Sequence, residues 1–255
     1  MPEPVLRARG LSKRFGGLIA VDNVDFELYP HEIHSVIGPN GAGKSTFLAM
    51  LAGDLAPSAG SVMRAGRDVT GLTIQERTRL GIGRTYQRSA VIPGFAAIDM
   101  VRLAALHSVP IWRRLQPLAS LSLVREKADQ ALGQVGLAGR RETMTDILSH
   151  GERRRLEIAA VLALGPQILL LDEPLAGLGP DEVREIAALI DDLRQSCAIL
   201  LIEHDVDVVF AIANRITVLD NGRVIESGDP DAIRRSASVQ EAYLGREGET
   251  GDMPT

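Results

Sequence analysis

The chain has 255 residues, 45% hydrophobic and 24% charged, which is typical of a globular protein long enough to bury a substantial core. The formal net charge of −5 argues against a nucleic-acid backbone as partner, and 4% aromatic residues argue against stacking platforms for single strands. The single cysteine, Cys197, excludes an intramolecular disulfide and is typical of a small buried apolar residue.

The N-terminal sequence Met1-Pro2-Glu3-Pro4 does not have the basic and then apolar pattern of a secretory signal. No apolar run approaches the about 20 residues that a membrane span requires. We therefore expect a cytoplasmic protein that reaches a membrane only through a partner.

Near the start of the chain, apolar and polar residues alternate as in a β-strand, and the spacing of the apolar residues then becomes helical. Val24, Phe26 and Leu28 alternate with polar residues, which predicts a strand with one buried face. Residues 33–37 are a more apolar strand that runs directly into Gly38. After Gly43 the apolar spacing becomes helical, so the order is strand, glycine loop, helix.

A helical stretch interrupts this pattern before it resumes. Residues from about 97 to 152 favour helices, and Pro110 and Pro117 break them, so we predict a helical subdomain inserted into an α/β core. Residues 168–171 and 198–202 are wholly apolar, as expected of central strands buried on both faces. Between them Val183, Ile186, Ile190 and Leu193 predict an amphipathic helix.

The last part of the chain has strong turn and cap signals. Asn221-Gly222 lies between two apolar segments and predicts a β-hairpin. Asp229 followed by Pro230 predicts a helix N-cap and first helical residue. Residues 246–255 are polar and glycine-containing, and we predict a disordered tail.

A phosphate loop, residues 38–46, carries the clearest chemical signal. Its sequence fits G-x-x-x-x-G-K-[ST], in which glycines let backbone N–H groups surround phosphate oxygens at a helix N-terminus. Since a strand precedes it and a helix follows, a chance glycine turn is disfavoured. The motif predicts a nucleotide triphosphatase that binds ATP and Mg²⁺, with Lys44 on the β- and γ-phosphates and Ser45 on the metal. The predicted nucleotide ligands are Gly38, Pro39, Asn40, Gly41, Ala42, Gly43, Lys44, Ser45 and Thr46.

Two adjacent carboxylates, Asp172 and Glu173, follow the buried strand at 168–171. Open parallel sheets place ligand groups at this end of their strands, and buried carboxylates are costly unless they meet a cation or water. Solvated loop acids are the alternative, and a phosphate loop in the same chain disfavours it. Asp172 is the candidate Mg²⁺ ligand, and Glu173 the candidate group that polarises the attacking water.

Two further polar residues are candidates for the same site. His204 follows the strand at 198–202, and strand order brings it toward the edge that holds Lys44 and Glu173, where it would sense the γ-phosphate. A structural hydrogen bond is the simpler role for a lone histidine. Gln87 is a candidate for the Mg²⁺ and water shell, although by itself it would be a surface residue.

The segment Leu148-Ser149-His150-Gly151-Glu152 allows two compatible interpretations. Ser149 with Glu152 three residues later predicts a capping box. A serine hydroxyl, a glycine N–H and a helix N-terminus together also predict a second anion site. Arg153, Arg154 and Arg155 are too few to indicate a nucleic-acid patch.

In this order the motifs resemble the ATP-binding subunit of ABC transporters over residues 5–245. The resemblance implies an α/β fold, with a P-loop (RecA-like) core, an N-terminal antiparallel β subdomain and the inserted helices, as a single domain over residues 1–245. It implies that Phe15 stacks on adenine and that Gln87 and His204 are the family's glutamine and switch histidine. The catalytic residues are then Glu173, His204 and Gln87. It also implies a head-to-tail dimer, as homodimer or heterodimer, in which Ser149, Gly151 and Glu152 of one subunit complete the ATP site of the other.

Three further segments resemble the ATPases of branched-chain amino acid importers: residues 14–18, 81–85 and 241–245. Urea and amide importers and the lipopolysaccharide-export ATPase share parts of this pattern and remain alternatives. An importer implies transmembrane permease subunits, indirectly a substrate-binding protein, and a peripheral position on the inner face of the membrane. The permease contact is expected between Gln87 and the helical insert, near residues 98–112.

Other classes of P-loop protein fit less well. Soluble ABC ATPases that act on nucleic acid or ribosomes usually carry two ATPase units or a long coiled coil, and this chain has neither, so no nucleic-acid partner is expected. A kinase or GTPase would leave the segment around Ser149 unexplained. Two positions depart from the family pattern: His150 replaces a glycine, and Gly179 replaces an aspartate that contacts across the dimer.

Overall fold

The computed structural model describes residues 3–86, 91–109 and 121–241. The strands and helices alternate along most of the chain. The strands are β1 Leu6–Phe15, β2 Leu18–Leu28, β3 Ile33–Ile37, β4 Ala59–Arg64, β5 Arg67–Asp68, β6 Ile82–Arg84, β7 Ile168–Asp172, β8 Ala198–Ile202, β9 Arg215–Asp220 and β10 Arg223–Gly228. The helices are α1 Lys44–Ala52, α2 Ile74–Arg79, α3 Ala97–Ala105, α4 Ser122–Gln134, α5 His150–Leu162, α6 Pro180–Leu193, α7 Val206–Ile212 and α8 Pro230–Arg235.

An antiparallel sheet in the order β2-β1-β4-β5 forms the N-terminal β subdomain. In β2 the side chains of Val24, Phe26 and Leu28 are buried and alternate with more exposed residues, which confirms the prediction from period two. These side chains pack with α1 and with one face of the second sheet, so the two sheets share a core.

The second sheet has the order β10-β9-β3-β8-β7-β6 and is parallel apart from its terminal hairpin strand, β10. β7 and β8 are buried at every position, as their apolar sequences predict. In β7, Ile168 and Leu170 join the core shared with the antiparallel sheet, whereas Leu169 and Leu171 face the helices on the opposite side. The sheet is therefore covered on both faces.

Helices α3 and α4 and the start of α5 occupy the region predicted to be a helical insert, and most of α5 lies beyond it. The three helices pack on one another around Ile98, Val124, Leu132 and Ile158. The predicted boundaries at about 97 and 152 remain a prediction, and Pro110 and Pro117 lie outside the described residues.

Local turn chemistry sets the last elements, as predicted. Asn221 and Gly222 both adopt positive φ, 47° and 79°, and close the β9–β10 hairpin. The Asp229 side chain accepts a hydrogen bond from the amide of Ala232 and caps α8, with Pro230 as its first residue. The predicted tail, residues 246–255, lies outside the described residues.

Candidate functional site: a phosphate loop and the ends of three strands

Three adjacent parallel strands end at one edge of the six-stranded sheet. β3 pairs with β8 and β8 pairs with β7, so Val36 and Asp172 both lie in register with Ile202. The residues that follow these strands are the phosphate loop, His204 and Glu173. The structure therefore brings together the groups that the sequence predicts to be neighbours.

The phosphate loop depends on glycine at two close approaches of the backbone. Gly38 has a φ of 152°, and a Cβ there would lie 2.0 Å from the carbonyl oxygen of Leu219. Gly43 has a φ of 98°, and its Cβ would lie 2.2 Å from the carbonyl oxygen of Ala20. Any larger residue must displace backbone at either position, so the loop shape requires these glycines.

Lys44 begins α1 and points back over the loop. Its Nζ donates to the carbonyl oxygens of Gly38 at 2.7 Å and Pro39 at 3.1 Å. Burial lowers the pKa of Lys44, and the charges of Glu173 and Asp172 oppose that shift. Since Gly43 offers no side chain to cap α1, the loop and the helix N-terminus form a positive cradle suited to phosphate.

Asp172 is a buried carboxylate with one of its two oxygens hydrogen-bonded. Its Oδ2 accepts a hydrogen bond from Nη2 of Arg84 at 3.0 Å, and Arg84 also pairs with Asp54. Burial raises the pKa of Asp172, and both Arg84 and the Ser45 hydroxyl oppose that rise. Within the part of the chain that the structure describes, Oδ1 of Asp172 has no hydrogen-bond partner.

An unsatisfied buried carboxylate oxygen beside a serine hydroxyl fits a hard divalent cation. Mg²⁺ prefers such oxygen ligands and usually keeps several waters beside one or two carboxylates. Asp172 and Ser45 are the described residues that fit it. Gln87, the third predicted metal ligand, lies outside the described residues.

Glu173 occupies a strained turn at the end of β7. Its φ is 47°, a left-handed conformation that is uncommon for residues other than glycine. The backbone holds this turn, since the amide of Glu173 donates to Ile202 at 2.9 Å and its carbonyl accepts from Arg154 at 3.3 Å. The turn directs the chain away from the sheet directly beside the phosphate loop.

A second buried carboxylate, Glu203, supports this edge and was not predicted from the sequence. It is fully buried, accepts hydrogen bonds from the amides of Leu175 at 2.7 Å and His204 at 3.1 Å, and burial raises its pKa. Nδ1 of His204 lies 3.6 Å from Glu203, while 63% of the His204 side chain is exposed. Glu203 thus ties the segment after Glu173 to the segment that carries His204.

The segment around Ser149 forms the predicted capping box. The Ser149 hydroxyl accepts from the amide of Glu152 at 3.1 Å, and the Glu152 side chain accepts from the amide of Ser149 at 2.9 Å. The amide of Gly151 and the Ser149 hydroxyl also donate to Oε1 of Glu182, at 2.9 and 3.3 Å. The sequence predicts an anion site here, and a carboxylate of the same chain lies in it.

Phe15 and two of the arginines after Glu152 are the remaining residues that the sequence singles out. Phe15, at the end of β1, is 48% exposed with Nζ of Lys13 5.1 Å from its ring centre. Arg154 is buried and pairs with Glu157 at 2.8 Å, and Arg155 pairs with Glu185. Among the described residues, none of the helices is both long and apolar enough to span a bilayer.

Two family models match the chain. The model described as "ABC transporter" matches residues 21–176. The model described as "Branched-chain amino acid ATP-binding cassette transporter" matches residues 223–249.

Curated relatives match nearly the whole chain. The high-affinity branched-chain amino acid transport ATP-binding protein LivG of Escherichia coli (strain K12) is 39% identical, covering 96% of this chain and 99% of LivG. BraF of Pseudomonas aeruginosa, which carries the same description, is 36% identical over 96% of this chain and 99% of BraF. The lipopolysaccharide export system ATP-binding protein LptB of Acidithiobacillus ferridurans is 37% identical over 94% of this chain and 97% of LptB.

Solved structures share the fold. A nucleotide-free ATP-binding cassette of an ABC transporter superposes with a TM-score of 0.85 at 25% identity, covering 98% of this chain and all of that one. A dimeric cassette in a post-hydrolysis state, bound to ADP and Pi, has a TM-score of 0.74 at 26% identity. The match covers 88% of this chain and 98% of that one. The predicted fold class is confirmed, and the chain belongs to the ABC transporter family as one of its ATP-binding subunits.

Proposed function

We propose that this chain is the ATP-binding and ATP-hydrolysing subunit of an ABC importer that takes up branched-chain or other hydrophobic amino acids. The observation that carries the ATPase is the single sheet edge that holds the phosphate loop, Asp172, Glu173 and His204. Identity to LivG and BraF over almost the full chain, with the match of residues 223–249, supports amino-acid import.

The nucleotide binds at the start of α1. Amides of the phosphate loop and the α1 N-terminus surround the phosphates, and Lys44 exchanges its carbonyl partners for β- and γ-phosphate oxygens. Phe15 is exposed and able to stack on the adenine. This exchange favours nucleotide binding, because a charged phosphate oxygen is a stronger hydrogen-bond acceptor for the Lys44 ammonium than a neutral carbonyl.

Hydrolysis uses the strained turn at Glu173. Its carboxylate orients and polarises the attacking water, and His204 contacts the γ-phosphate. Asp172, Ser45 and Gln87 would hold Mg²⁺, which would neutralise charge on the phosphates. The backbone amides of Glu173 and His204 donate to the Ile202 carbonyl and the Glu203 carboxylate, which fixes the main chain from which both side chains extend.

The site is completed by a second ABC ATPase subunit, either another copy or a related chain. Ser149, Gly151 and Glu152 of one subunit line the ATP site of the other, with Ser149 and Gly151 as donors to the γ-phosphate. A structurally similar cassette that is dimeric when bound to ADP and Pi supports the pairing of two subunits. ATP binding then closes the pair and hydrolysis reopens it, so a single chain binds ATP but turns it over poorly.

Closure drives transmembrane permease subunits, which hold the chain at the cytoplasmic face of the membrane and receive cargo from a substrate-binding protein. Tyr86, Ile92 and Phe95, on either side of residues 87–90, are exposed apolar side chains that suit a permease contact.

Uptake by cells that lack the gene tests the cargo. Loss of ATP-driven leucine, isoleucine and valine uptake, restored by the wild-type gene and not by Lys44→Ala, is the expected result. Normal uptake together with a defective outer membrane would contradict import and favour lipopolysaccharide export. The identity to LptB makes export the alternative to test.

A further inference from the structure

Glu182 binds the same donors that the proposed function gives to the γ-phosphate. Its Oε1 accepts the Gly151 amide at 2.9 Å and the Ser149 hydroxyl at 3.3 Å. Its Oε2 accepts the amide of Gly179 at 3.2 Å. These hydrogen bonds lower the pKa of Glu182, so the carboxylate is a full negative charge at neutral pH.

The carboxylate fills the space next to Gly151. A Cβ at Gly151 would lie 2.8 Å from Oε1 of Glu182. One N–H group makes one strong hydrogen bond, and a phosphate at this place would repel the carboxylate. A phosphate oxygen and Glu182 therefore exclude each other at Gly151.

We propose that Glu182 is an internal competitor for the γ-phosphate: it occupies the Ser149–Gly151 site in the open chain and leaves when the ATP of a second subunit docks there. The proposal rests on the shared ATP site of the proposed function. It makes dimer closure an exchange of one anion for another, so closure requires a ligand that is a better acceptor than a carboxylate.

The position of Glu182 connects this exchange to hydrolysis. Glu182 lies in the first turn of α6, and only the short segment 174–179 separates α6 from Glu173. Because Oε2 also holds Gly179, withdrawal of Glu182 frees the end of that segment. Docking of the γ-phosphate on one subunit thereby loosens the loop that leads from its own Glu173.

The simpler role for Glu182 is to cap α6 through Gly179. A cap contributes to stability and has no effect on phosphate binding at Gly151. The two roles therefore differ in what removal of the carboxylate does to the anion affinity of the Ser149 segment.

Titration of the single chain with inorganic phosphate, monitored through its backbone amide NMR resonances, distinguishes the competitor role from the capping role. In Glu182→Ala the Gly151 amide is expected to respond at a phosphate concentration at least about tenfold lower than in wild type, since one charge-assisted competitor is gone. Glu182→Gln retains a capping side chain and should fall between the two. Asp181→Ala removes an exposed charge from the same turn and should behave as wild type.

An equal response of Gly151 in wild type and Glu182→Ala, or no response in either, would overturn the proposal. The phosphate-loop amides are monitored in the same titration, and unchanged resonances there would count against the proposed nucleotide site instead.

A second experiment measures dimer closure. In a Glu173→Gln background, Glu182→Gln should also lower the ATP concentration needed for dimer closure by about tenfold. An unchanged or higher requirement in pairs that close would contradict the competitor role.

Discussion

Arg84 donates a hydrogen bond from Nη2 to Oδ2 of Asp172 across 3.0 Å and holds that buried carboxylate in its charged form. Burial, and to a smaller extent the charge of Glu173, raise the pKa of Asp172, and the guanidinium is the largest influence that opposes them. The pair exists because β6, which ends at Arg84, lies directly beside β7. A cation-binding role for Asp172 therefore depends on the neighbouring guanidinium of Arg84.

Replacing Arg84 should move the pH dependence of hydrolysis. In Arg84→Met the pKa of Asp172 rises further, so the carboxylate is protonated, and unable to bind Mg²⁺, at a higher pH than in wild type. The acid limb of kcat/KM against pH should shift upward. Arg7→Met, which removes an arginine paired with Glu27, is the matched control. An unmoved acid limb in Arg84→Met would count against this role of the pair.

Two glycines of the phosphate loop should respond differently to alanine. In Gly43→Ala the new Cβ meets the carbonyl of Ala20 at 2.2 Å, so the loop must change shape and ATP affinity should fall by at least about a hundredfold. In Gly41→Ala nothing lies within 4 Å, and the cost is the φ of 82°, on the order of 1–2 kcal/mol. Calorimetric ATP titration of both variants checks this, and equal losses would contradict the steric account.

Arg77 should matter for stability and little for nucleotide affinity. It is fully buried and donates to the carbonyls of Met50, Leu51, Thr70 and Leu72, joining the C-terminal end of α1 to the segment between β5 and α2. Arg77→Met leaves these buried carbonyls without their hydrogen-bond donor. The free energy of unfolding should fall by on the order of 3 kcal/mol, which lowers Tm by roughly 6–12 °C. Thermal unfolding measures the loss, and ATP affinity below Tm should stay within about twofold, since the contacts lie at the opposite end of α1 from the phosphate loop.

Phe15 should contribute through the base of the nucleotide alone. Stacking of an aromatic ring on a base contributes about 1–3 kcal/mol, so Phe15→Ala should weaken ATP binding by about five- to a hundredfold. Inorganic tripolyphosphate, which has no base, should bind both proteins equally. A parallel loss of tripolyphosphate affinity would show that Phe15 supports the phosphate loop instead.

The sequence predicts those parts of the fold and site that local pattern determines. The wholly apolar runs became β7 and β8, the Asn221-Gly222 turn closed the terminal hairpin, and Ser149 with Glu152 formed its capping box. Each depends on residues within a few positions of one another. The glycine spacing of the phosphate loop is equally local, because it reports backbone conformations that a Cβ excludes.

The supporting contacts of the site could not be predicted in this way. Arg84 and Asp172 are 88 positions apart, and Gly151 and Glu182 are 31 apart. Their contacts depend on strand order and on how α5 and α6 approach each other, which no local periodicity records. Glu203 could have been suspected, since a charged residue that follows a buried strand needs a partner, but its backbone partner Leu175 is 28 positions away.

The steady-state ATP turnover of Glu173→Gln, measured beside its ATP affinity, tests the central claim most directly. The account predicts that affinity stays within about threefold while kcat falls by at least about a hundredfold, since a positioned carboxylate contributes about 10²–10⁴ to rate. Turnover like that of the wild type, with ATP still bound, would contradict the account.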